Sequence, residues 1–213
     1  MSQKKINIVV AGATGYIGLD LVFYLSKHPR VNISYLCAQK NLGKDIKTFD
    51  KRIIKKLPKI TNLEKVDWTN IDLLFLSLPN GYAQKIVKSL YNFKHLKFID
   101  LSADFRIEDK DKYRQWYSIK HNAINLIRKS IYSIPEFSKD KIENFRIIAN
   151  PGCYPTSIQL VLVPLLKKSL IKTDNIIIDS KSGYSGAGKN FKSKFDHENF
   201  YESTFAYGIE KHR

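Results

Sequence analysis

Ile6-Asn7-Ile8-Val9-Val10-Ala11-Gly12-Ala13-Thr14-Gly15-Tyr16-Ile17-Gly18 is the stretch that decides the fold of this chain. Its first six residues are rich in β-branched side chains and predict a short strand. The amphipathic stretch Leu19 to His28 follows the glycines and predicts a helix. A second strand from Val31 to Leu36 completes a β-α-β unit. The sequence therefore predicts an α/β fold that starts with parallel strands.

The three glycines of this stretch are spaced as G-x-x-G-x-x-G, a variant of the dinucleotide fingerprint. Gly12 permits a tight turn, Gly15 lets the backbone approach a pyrophosphate, and Gly18 allows close packing of helix and strand. The phosphates would then rest at the N-terminus of the helix. A glycine triplet alone is often only a turn. Its position between a first strand and a first helix favours dinucleotide binding.

The end of the second predicted strand indicates which dinucleotide is bound. An NAD site usually presents Asp or Glu there to hold the ribose hydroxyls. This chain has no acidic residue in that region before Asp45, whereas Lys40 and Lys44 could meet a 2′-phosphate. The alternative is that lysines are common throughout the chain. The pattern favours NADP(H) as cofactor.

Further strands and helices alternate along the chain. The apolar run Ile71 to Leu78 and the segment Leu96 to Leu101 predict two more strands, with a helix from Tyr82 to Phe93 between them. Residues 107 to about 144 look less regular. Strands that alternate with helices indicate a doubly wound parallel sheet, and ligands bind at the carboxyl ends of its strands.

The segment Asn150-Pro151-Gly152-Cys153-Tyr154-Pro155-Thr156 carries the strongest chemical signal. It follows a predicted strand, Phe145 to Ala149, and precedes a predicted helix, Ser157 to Leu170. A cysteine at such a junction lies near the positive end of the helix dipole, which favours the reactive thiolate. The alternative is that Cys153 is a small buried side chain without a catalytic role. The flanking glycine and prolines favour the catalytic interpretation of Cys153.

A second glycine-rich turn lies between Ser180 and Lys189, after a predicted strand from Asn175 to Asp179. Its backbone amides, with Lys181 or Lys189, could cradle an anion. Ser182 and Gly183 are therefore candidate cofactor-binding residues. A flexible surface loop is the alternative.

Composition excludes several classes of protein. The formal net charge is +16, but the lysines are scattered and no nucleic-acid-binding motif accompanies them, so we expect no nucleic acid partner. The two cysteines, Cys37 and Cys153, make no disulfide framework, which fits a cytoplasmic protein. We find no secretory segment and no membrane-spanning run, and no metal-ligand spacing.

Together these motifs resemble the N-acetyl-gamma-glutamyl-phosphate reductase family of the wider aspartate-semialdehyde dehydrogenase group. The resemblance rests on segments that occur in order along the chain: Gly12–Gly18, Ser77–Gly81, Asp100–Arg106, Ile134–Glu136, Asn150–Thr156, Lys181–Gly188 and Tyr207–Arg213. It implies NADPH-dependent reduction of an acyl phosphate in arginine biosynthesis.

The resemblance also implies residue roles. Cys153 would be the nucleophile that forms a thioester, and His212, the first histidine of a His-Arg-His motif, would be an acid–base or substrate-binding residue. Pro79 and Asn80 would lie near the nicotinamide. The residues that would border the cofactor are Gly12, Thr14, Gly15, Tyr16, Ile17 and Gly18. A lone histidine is more often structural, and the motif alone favours a function for His212.

The family pattern continues beyond the last residue, so we interpret the chain as C-terminally truncated. We expect a Rossmann NADP-binding domain at residues 1–149 and an incomplete α+β catalytic domain at 150–213, forming a homo-oligomer when full length. Two alternatives stay open: a reductase of a related acyl phosphate (aspartyl or carrier-bound aminoadipyl), or an NADP-binding protein without turnover.

Overall fold

A parallel sheet of seven strands forms the centre of the molecule. The structure is a computed structural model that describes residues 4–188. The strands lie in the order β3-β2-β1-β4-β5-β7-β6, and each neighbouring pair is parallel. The strands are Ile6–Ala11 (β1), Val31–Cys37 (β2), Ile60–Thr61 (β3), Leu73–Leu76 (β4), Lys97–Asp100 (β5), Ser130–Tyr132 (β6) and Ile147–Ala149 (β7).

Helices connect the strands and cover the sheet. They are Tyr16–Lys27 (α1), Ala83–Leu90 (α2), Lys110–Tyr117 (α3), Ile124–Ile127 (α4), Pro135–Ile142 (α5) and Cys153–Lys167 (α6). Short 3-10 turns occur at Ile46–Thr48, Leu63–Lys65, Trp68–Asn70 and Tyr184–Ala187.

Alternate residues of the central strands supply two separate cores, one on each face of the sheet. In β1, Val9 and Ala11 pack with α2 and Phe98 on one face, and Ile8 and Val10 pack with α1 on the other. Burial on both faces explains why β1 and β4 are nearly continuous apolar runs. The predicted doubly wound Rossmann sheet is confirmed.

The strand order reverses between β1 and β4. From β1 the chain moves outward through β2 and β3, then returns across β1 to β4 and β5. In open α/β sheets ligands bind at this switch point, beyond the carboxyl ends of the strands. The two loops that meet there are the glycine loop after β1 and the loop after β4.

Residues 107–144 are more ordered than the sequence suggested, since they contain α3, α4, β6 and α5. Their signals are weak because α3 is mostly polar and buries only Tyr113, and because β6 has three residues. One start signal was available. Asp109 caps α3 by accepting hydrogen bonds from the backbone N–H groups of Asp111 and Lys112.

Two predictions in the last part of the chain are wrong. Helix α6 begins at Cys153 instead of after Pro155, because a proline in the first turn has no N–H that needs an intrahelical partner. The segment from Asn175 to Asp179 is not a strand. Within residues 4–188 no strand lies beside it to pair its backbone, and Ile177 is 93% exposed.

Candidate active site

The glycine loop between β1 and α1 is too tight for side chains at two of its positions. Gly12 has a φ of +80°, and a Cβ there would lie 1.9 Å from the carbonyl oxygen of Ser77. A Cβ at Gly18 would lie 2.1 Å from the carbonyl oxygen of Gly12. The predicted roles of Gly12 in the turn and Gly18 in close packing therefore agree with the geometry.

Gly15 is the N-cap residue of α1 and has no side chain with which to cap the helix start. The first turn of α1 carries no acidic residue, whereas Tyr16 and Ile17 are exposed and Thr14 is half-buried. A helix end of this kind accommodates an anion such as a pyrophosphate. The residues here fit the dinucleotide that the sequence predicts.

The loop after β2 exposes two lysines, whereas its acidic residue is engaged in a local hydrogen bond. Lys40 and Lys44 are exposed, and neither forms an ion pair within the described part of the chain. The Asp45 carboxylate instead accepts a hydrogen bond from the Lys47 N–H at 2.9 Å and caps a 3-10 turn. The Asp45 carboxylate of this loop is therefore engaged in capping a neighbouring turn.

Cys153 is the first residue of α6 and is exposed, whereas Cys37 lies 1% exposed at the end of β2. Burial raises the pKa of the Cys37 thiol to about 12. Gly152 is the N-cap of α6 and, like Gly15, has no side chain with which to cap the helix start. The two cysteines therefore differ sharply in access to solvent and reagents, and only Cys153 is suited to attack a substrate.

The four loops that follow β1, β4, β5 and β7 lie in a row and contact one another in sequence. Gly12 packs against Ser77 of the second loop. In that loop, Asn80 Oδ1 accepts a hydrogen bond from the Ala103 N–H of the third loop at 3.1 Å. Arg106 of the third loop donates from Nε to the Asn150 carbonyl oxygen at 2.8 Å. The row joins the glycine loop to the loop that carries Cys153.

Asp104 and Arg106 belong to the third loop, and the sequence analysis gave neither of them a role. The Arg106 guanidinium also donates to the Leu101 carbonyl oxygen at 3.0 Å, and its Nη1 would lie 3.2 Å from a Cβ at Gly152. It therefore brings a positive charge beside Gly152, the residue before Cys153. The available signal was their position in a polar turn at the carboxyl end of a strand.

Asp100 is a buried carboxyl group beneath this third loop. Its Oδ1 accepts from the Ser102 N–H at 2.9 Å, and its buried Oδ2 has no partner in the described part of the chain. Burial raises the pKa of Asp100 to about 6, although its hydrogen bonds to Ser102 oppose the shift. The group therefore resists ionisation at mildly acidic pH.

Of the remaining predicted site residues that the structure describes, Pro79 lies in this row, whereas Ser182 and Gly183 do not. Pro79 lies in the second loop beside Asn80. Ser182 and Gly183 are exposed, Ser182 donates only locally to the Gly183 carbonyl oxygen, and a Cβ at Gly183 would meet no atom within 4 Å. His212 lies outside the described residues, as does Lys189. Their proposed roles stay predictions.

Between residues 4 and 188, no helix has the length and apolar character needed to cross a membrane. The same residues contain no group of three or more His, Cys, Asp or Glu side chains arranged to hold a metal ion.

Comparison with protein-family models matches two consecutive parts of the chain. Residues 7–145 match the model "Semialdehyde dehydrogenase, NAD binding domain". The chain belongs to the semialdehyde dehydrogenase family. Residues 153–213 match the model "Semialdehyde dehydrogenase, dimerisation domain" of the same family. The glycine loop and most of the sheet therefore lie in the part of the chain that matches the NAD binding domain of this family.

Curated relatives give the resemblance more detail. The chain is 43% identical over 213 residues to the "Probable N-acetyl-gamma-glutamyl-phosphate reductase, chloroplastic" of Oryza sativa subsp. japonica, covering 100% of this chain and 51% of that protein. It is 42% identical to the N-acetyl-gamma-glutamyl-phosphate reductase of Rhodospirillum rubrum, covering 99% of this chain and 61% of that protein. The chain thus spans between half and two thirds of the length of these relatives.

Solved structures share the fold. Aspartate semialdehyde dehydrogenase II of Vibrio cholerae superposes with a TM-score of 0.63 at 18% identity, covering 93% of this chain and 53% of that one. An aspartate semialdehyde dehydrogenase of Candida albicans with NADP superposes with a TM-score of 0.54 at 20% identity, covering 78% of this chain and 48% of that one. These similarities support the semialdehyde dehydrogenase fold.

Proposed function

We propose that the chain carries the cofactor site and the nucleophile of an NADPH-dependent N-acetyl-gamma-glutamyl-phosphate reductase of arginine biosynthesis. The reaction converts N-acetyl-L-glutamyl 5-phosphate to N-acetyl-L-glutamate 5-semialdehyde and phosphate. The observation that carries the proposal is the row of four loops, because it links a helix start with a glycine N-cap, suited to a dinucleotide, to an exposed cysteine at a second helix start with a glycine N-cap.

The two helix starts would have different roles in the reaction: the start of α6 carries the nucleophile, and the start of α1 would hold the cofactor. The Cys153 thiolate attacks the acyl carbon, the carbon–oxygen bond to phosphate breaks, and a thioester remains on the sulfur. A bound nicotinamide supplies the hydride that reduces this thioester. The hemithioacetal then collapses, releasing the aldehyde and returning the sulfur as the thiolate. Backbone N–H groups at the start of α6 would stabilise the oxyanions, and His212 is proposed as acid–base or substrate-binding residue.

Arg106 suits the phosphate side of this reaction. Its guanidinium is held by the carbonyl oxygens of Asn150 and Leu101, and it lies beside Gly152. A planar guanidinium next to the nucleophile favours an anionic substrate and a phosphate leaving group.

The nucleophile is tested by Cys153→Ser, with Cys37→Ala as the matched control at the other cysteine. We expect Cys153→Ser to lower kcat/KM for phosphate-dependent oxidation of N-acetylglutamate semialdehyde by roughly a thousandfold or more, since a hydroxyl is a much weaker nucleophile. NADPH affinity should stay within about twofold, and Cys37→Ala should retain activity.

Residual activity of Cys153→Ser within tenfold of the parent would overturn the assignment. Aspartate semialdehyde is assayed in parallel, and a preference for it would instead support a related acyl-phosphate reductase. NADPH binding without turnover on either aldehyde would support the non-catalytic alternative. If the reading frame continues beyond Arg213, the extended product is assayed alongside.

The cofactor preference is tested by titrating NADPH and NADH against the parent and Lys40→Glu. We expect the parent to prefer NADPH and Lys40→Glu to lower NADPH affinity by about tenfold, because an exposed lysine near the 2′-phosphate is replaced by a like charge. NADH affinity should change by less than about twofold. Lys88→Glu on α2 is the control for net charge. Equal affinity of the parent for both cofactors would contradict the proposal.

We also propose that the protein is a cytoplasmic homo-oligomer. The match of residues 153–213 to a dimerisation-domain model supports self-association. The exposed apolar side chains Leu160 and Val161 of α6 support it as well, since exposed apolar patches mark interaction surfaces.

A further inference from the structure

Asp104 is a fully buried carboxylate that ties three segments together. Its Oδ1 accepts from the Gly81 N–H at 2.7 Å and from the Tyr113 hydroxyl at 2.6 Å, and its Oδ2 accepts from the Gln84 N–H at 3.0 Å. Gly81 and Gln84 flank the start of α2, whereas Tyr113 lies in α3. A buried charge with this many donors is well satisfied, and its loss would leave several donors without partners.

The contacts make Asp104 the cap of α2, supplied from a different loop. The N-cap residue of α2, Tyr82, makes no side-chain capping bond itself. The N-cap residues of α1 and α6 are glycines, which have no side chain for capping, whereas the start of α2 is capped by Asp104. Because α2 starts directly after the loop with Pro79 and Asn80, the cap fixes the position of that loop.

The main chain of Asp104 is held as firmly as its side chain. His121 Nε2 lies 2.8 Å from the Asp104 carbonyl oxygen, and a carbonyl can only accept, so Nε2 carries the proton. Nδ1 accepts from the Ala123 N–H at 3.0 Å. Burial lowers the pKa of His121, which matches a neutral ring. The third loop is therefore fixed from below by α3 and by the segment that leads into α4.

The third loop is hydrogen-bonded to the loops on either side of it in the candidate site. One residue before Asp104, the Ala103 N–H donates to Asn80; two residues after it, Arg106 donates to the Asn150 carbonyl oxygen. A shift of Asp104 would therefore move the proposed nicotinamide loop and the Cys153 loop together. Displacements of about 1 Å are enough to cost catalytic efficiency.

We propose that Asp104 is a positioning residue that holds the Pro79–Asn80 loop and the Cys153 loop in register through its bonds to Gly81, Gln84 and Tyr113. It touches neither substrate nor cofactor. The role rests on the proposed function, because the register matters for hydride transfer to a thioester on Cys153.

Asp104→Asn tests the proposal, since the amide keeps the shape but places N–H donors where only acceptors fit. Val87→Ala is the matched control, because Val87 is buried in α2 and makes no contact with Asp104 through hydrogen bonds. Two readouts need no turnover: the NADPH dissociation constant, and the rate of Cys153 alkylation by iodoacetamide measured by intact mass. Buried Cys37 serves as the internal unreactive thiol.

We expect Asp104→Asn to weaken NADPH binding by about fivefold or more and to change the Cys153 alkylation rate by at least about threefold. Val87→Ala should leave both within about twofold, even where its melting temperature falls equally. Tyr113→Phe removes one of the three bonds and keeps both backbone bonds to Asp104, so it should change both readouts in the same direction as Asp104→Asn but by less. If Asp104→Asn does not fold, Asp104→Glu keeps the charge, displaces the carboxylate and is judged by the same thresholds.

Values for the Asp104 variant within twofold of those for Val87→Ala would overturn the proposal and leave Asp104 a purely structural residue. Absence of turnover in the parent would count against the proposed function only, because binding and alkylation are measured without substrate.

Discussion

Helices α1 and α6 have similar N-termini but differ in how many of their side chains are buried. Each follows a strand of the sheet and starts at a glycine N-cap with nearly the same backbone angles: φ −72° and ψ 166° at Gly15, φ −68° and ψ 169° at Gly152. Neither first turn contains an acidic residue. Yet α1 buries Leu19 and Val22 against the sheet, whereas no residue of α6 is buried in the described molecule.

The difference separates two properties that a helix start can have. The local strand–glycine–helix geometry creates a site for an anion, and this is the same in both helices. Packing of the apolar face provides stability, and only α1 has it here. Substitutions in α1 should therefore affect both folding and ligand binding, while substitutions in α6 should affect the chemistry with little cost to the folded state.

The largest expected effect comes from adding one methyl group to the α1 start. Gly18→Ala places a Cβ 2.1 Å from the backbone oxygen of Gly12, so the backbone must shift, and we expect a loss of about 3 kcal/mol in the free energy of unfolding. A Cβ at Gly152 would lie 3.2 Å from Nη1 of Arg106 and 3.6 Å from Cδ of Pro155, which are side-chain atoms and not backbone, so Gly152→Ala should cost less than about 1 kcal/mol. Urea denaturation of both variants measures this. Equal losses would erase the contrast between the helices.

A smaller effect is expected from the apolar faces. Val22→Ala empties a fully buried site and should lower the free energy of unfolding by about 2 kcal/mol. Val161→Ala removes a side chain that is 61% exposed and should change it by less than about 0.5 kcal/mol. Comparison of the two urea midpoints at constant slope is the measurement. A costly Val161→Ala would mean that α6 is packed in solution, for example in an oligomer.

The smallest expected effect is the pH dependence that the buried Asp100 carboxyl gives to the free energy of unfolding. Because burial raises the pKa of Asp100 to about 6 in the folded state, above its value of roughly 4 in the unfolded chain, the folded state binds more protons between these values. The contribution of Asp100 to stability is therefore greatest at low pH and is lost as pH rises through about 6. Between pH 5 and 7 this amounts to about 1 kcal/mol.

Asp100→Asn, which does not titrate, isolates this contribution. The difference in unfolding free energy between parent and variant should change by that amount between pH 5 and 7, in the direction that disfavours the parent at pH 7. A constant difference across this range would show that Asp100 ionises normally.

Sequence patterns succeeded where they depend on near neighbours. The strand Ile6–Ala11 is predicted to the residue, and the glycine loop and α1 follow from the same short unit. They failed where structure depends on distant partners. Residues 175–179 have the apolar character of a strand but no described neighbour to pair with, and α3 is polar and held mainly through Tyr113.

The candidate site shows the same division. Cys153 and the glycines stand out because each sits at a recognisable junction of strand and helix. Asp104 and Arg106 act mainly through distant partners, up to 44 residues away, so no local spacing marks them. The assignments of Lys40, Ser182, Gly183 and His212 stay predictions, because cofactor contacts are not determined by the backbone alone.

The cap on α2 has a consequence for how the chain folds. Its donors at Gly81 and Gln84 lie 23 and 20 residues before Asp104, so the cap closes a segment of chain that includes all of β5. Contacts of this separation are usually absent from a transition state that forms around local structure. Asp104→Asn should then speed unfolding while leaving the folding rate nearly unchanged. Asp104 would thus govern how long the assembled loops persist once formed, and hardly at all how quickly they assemble.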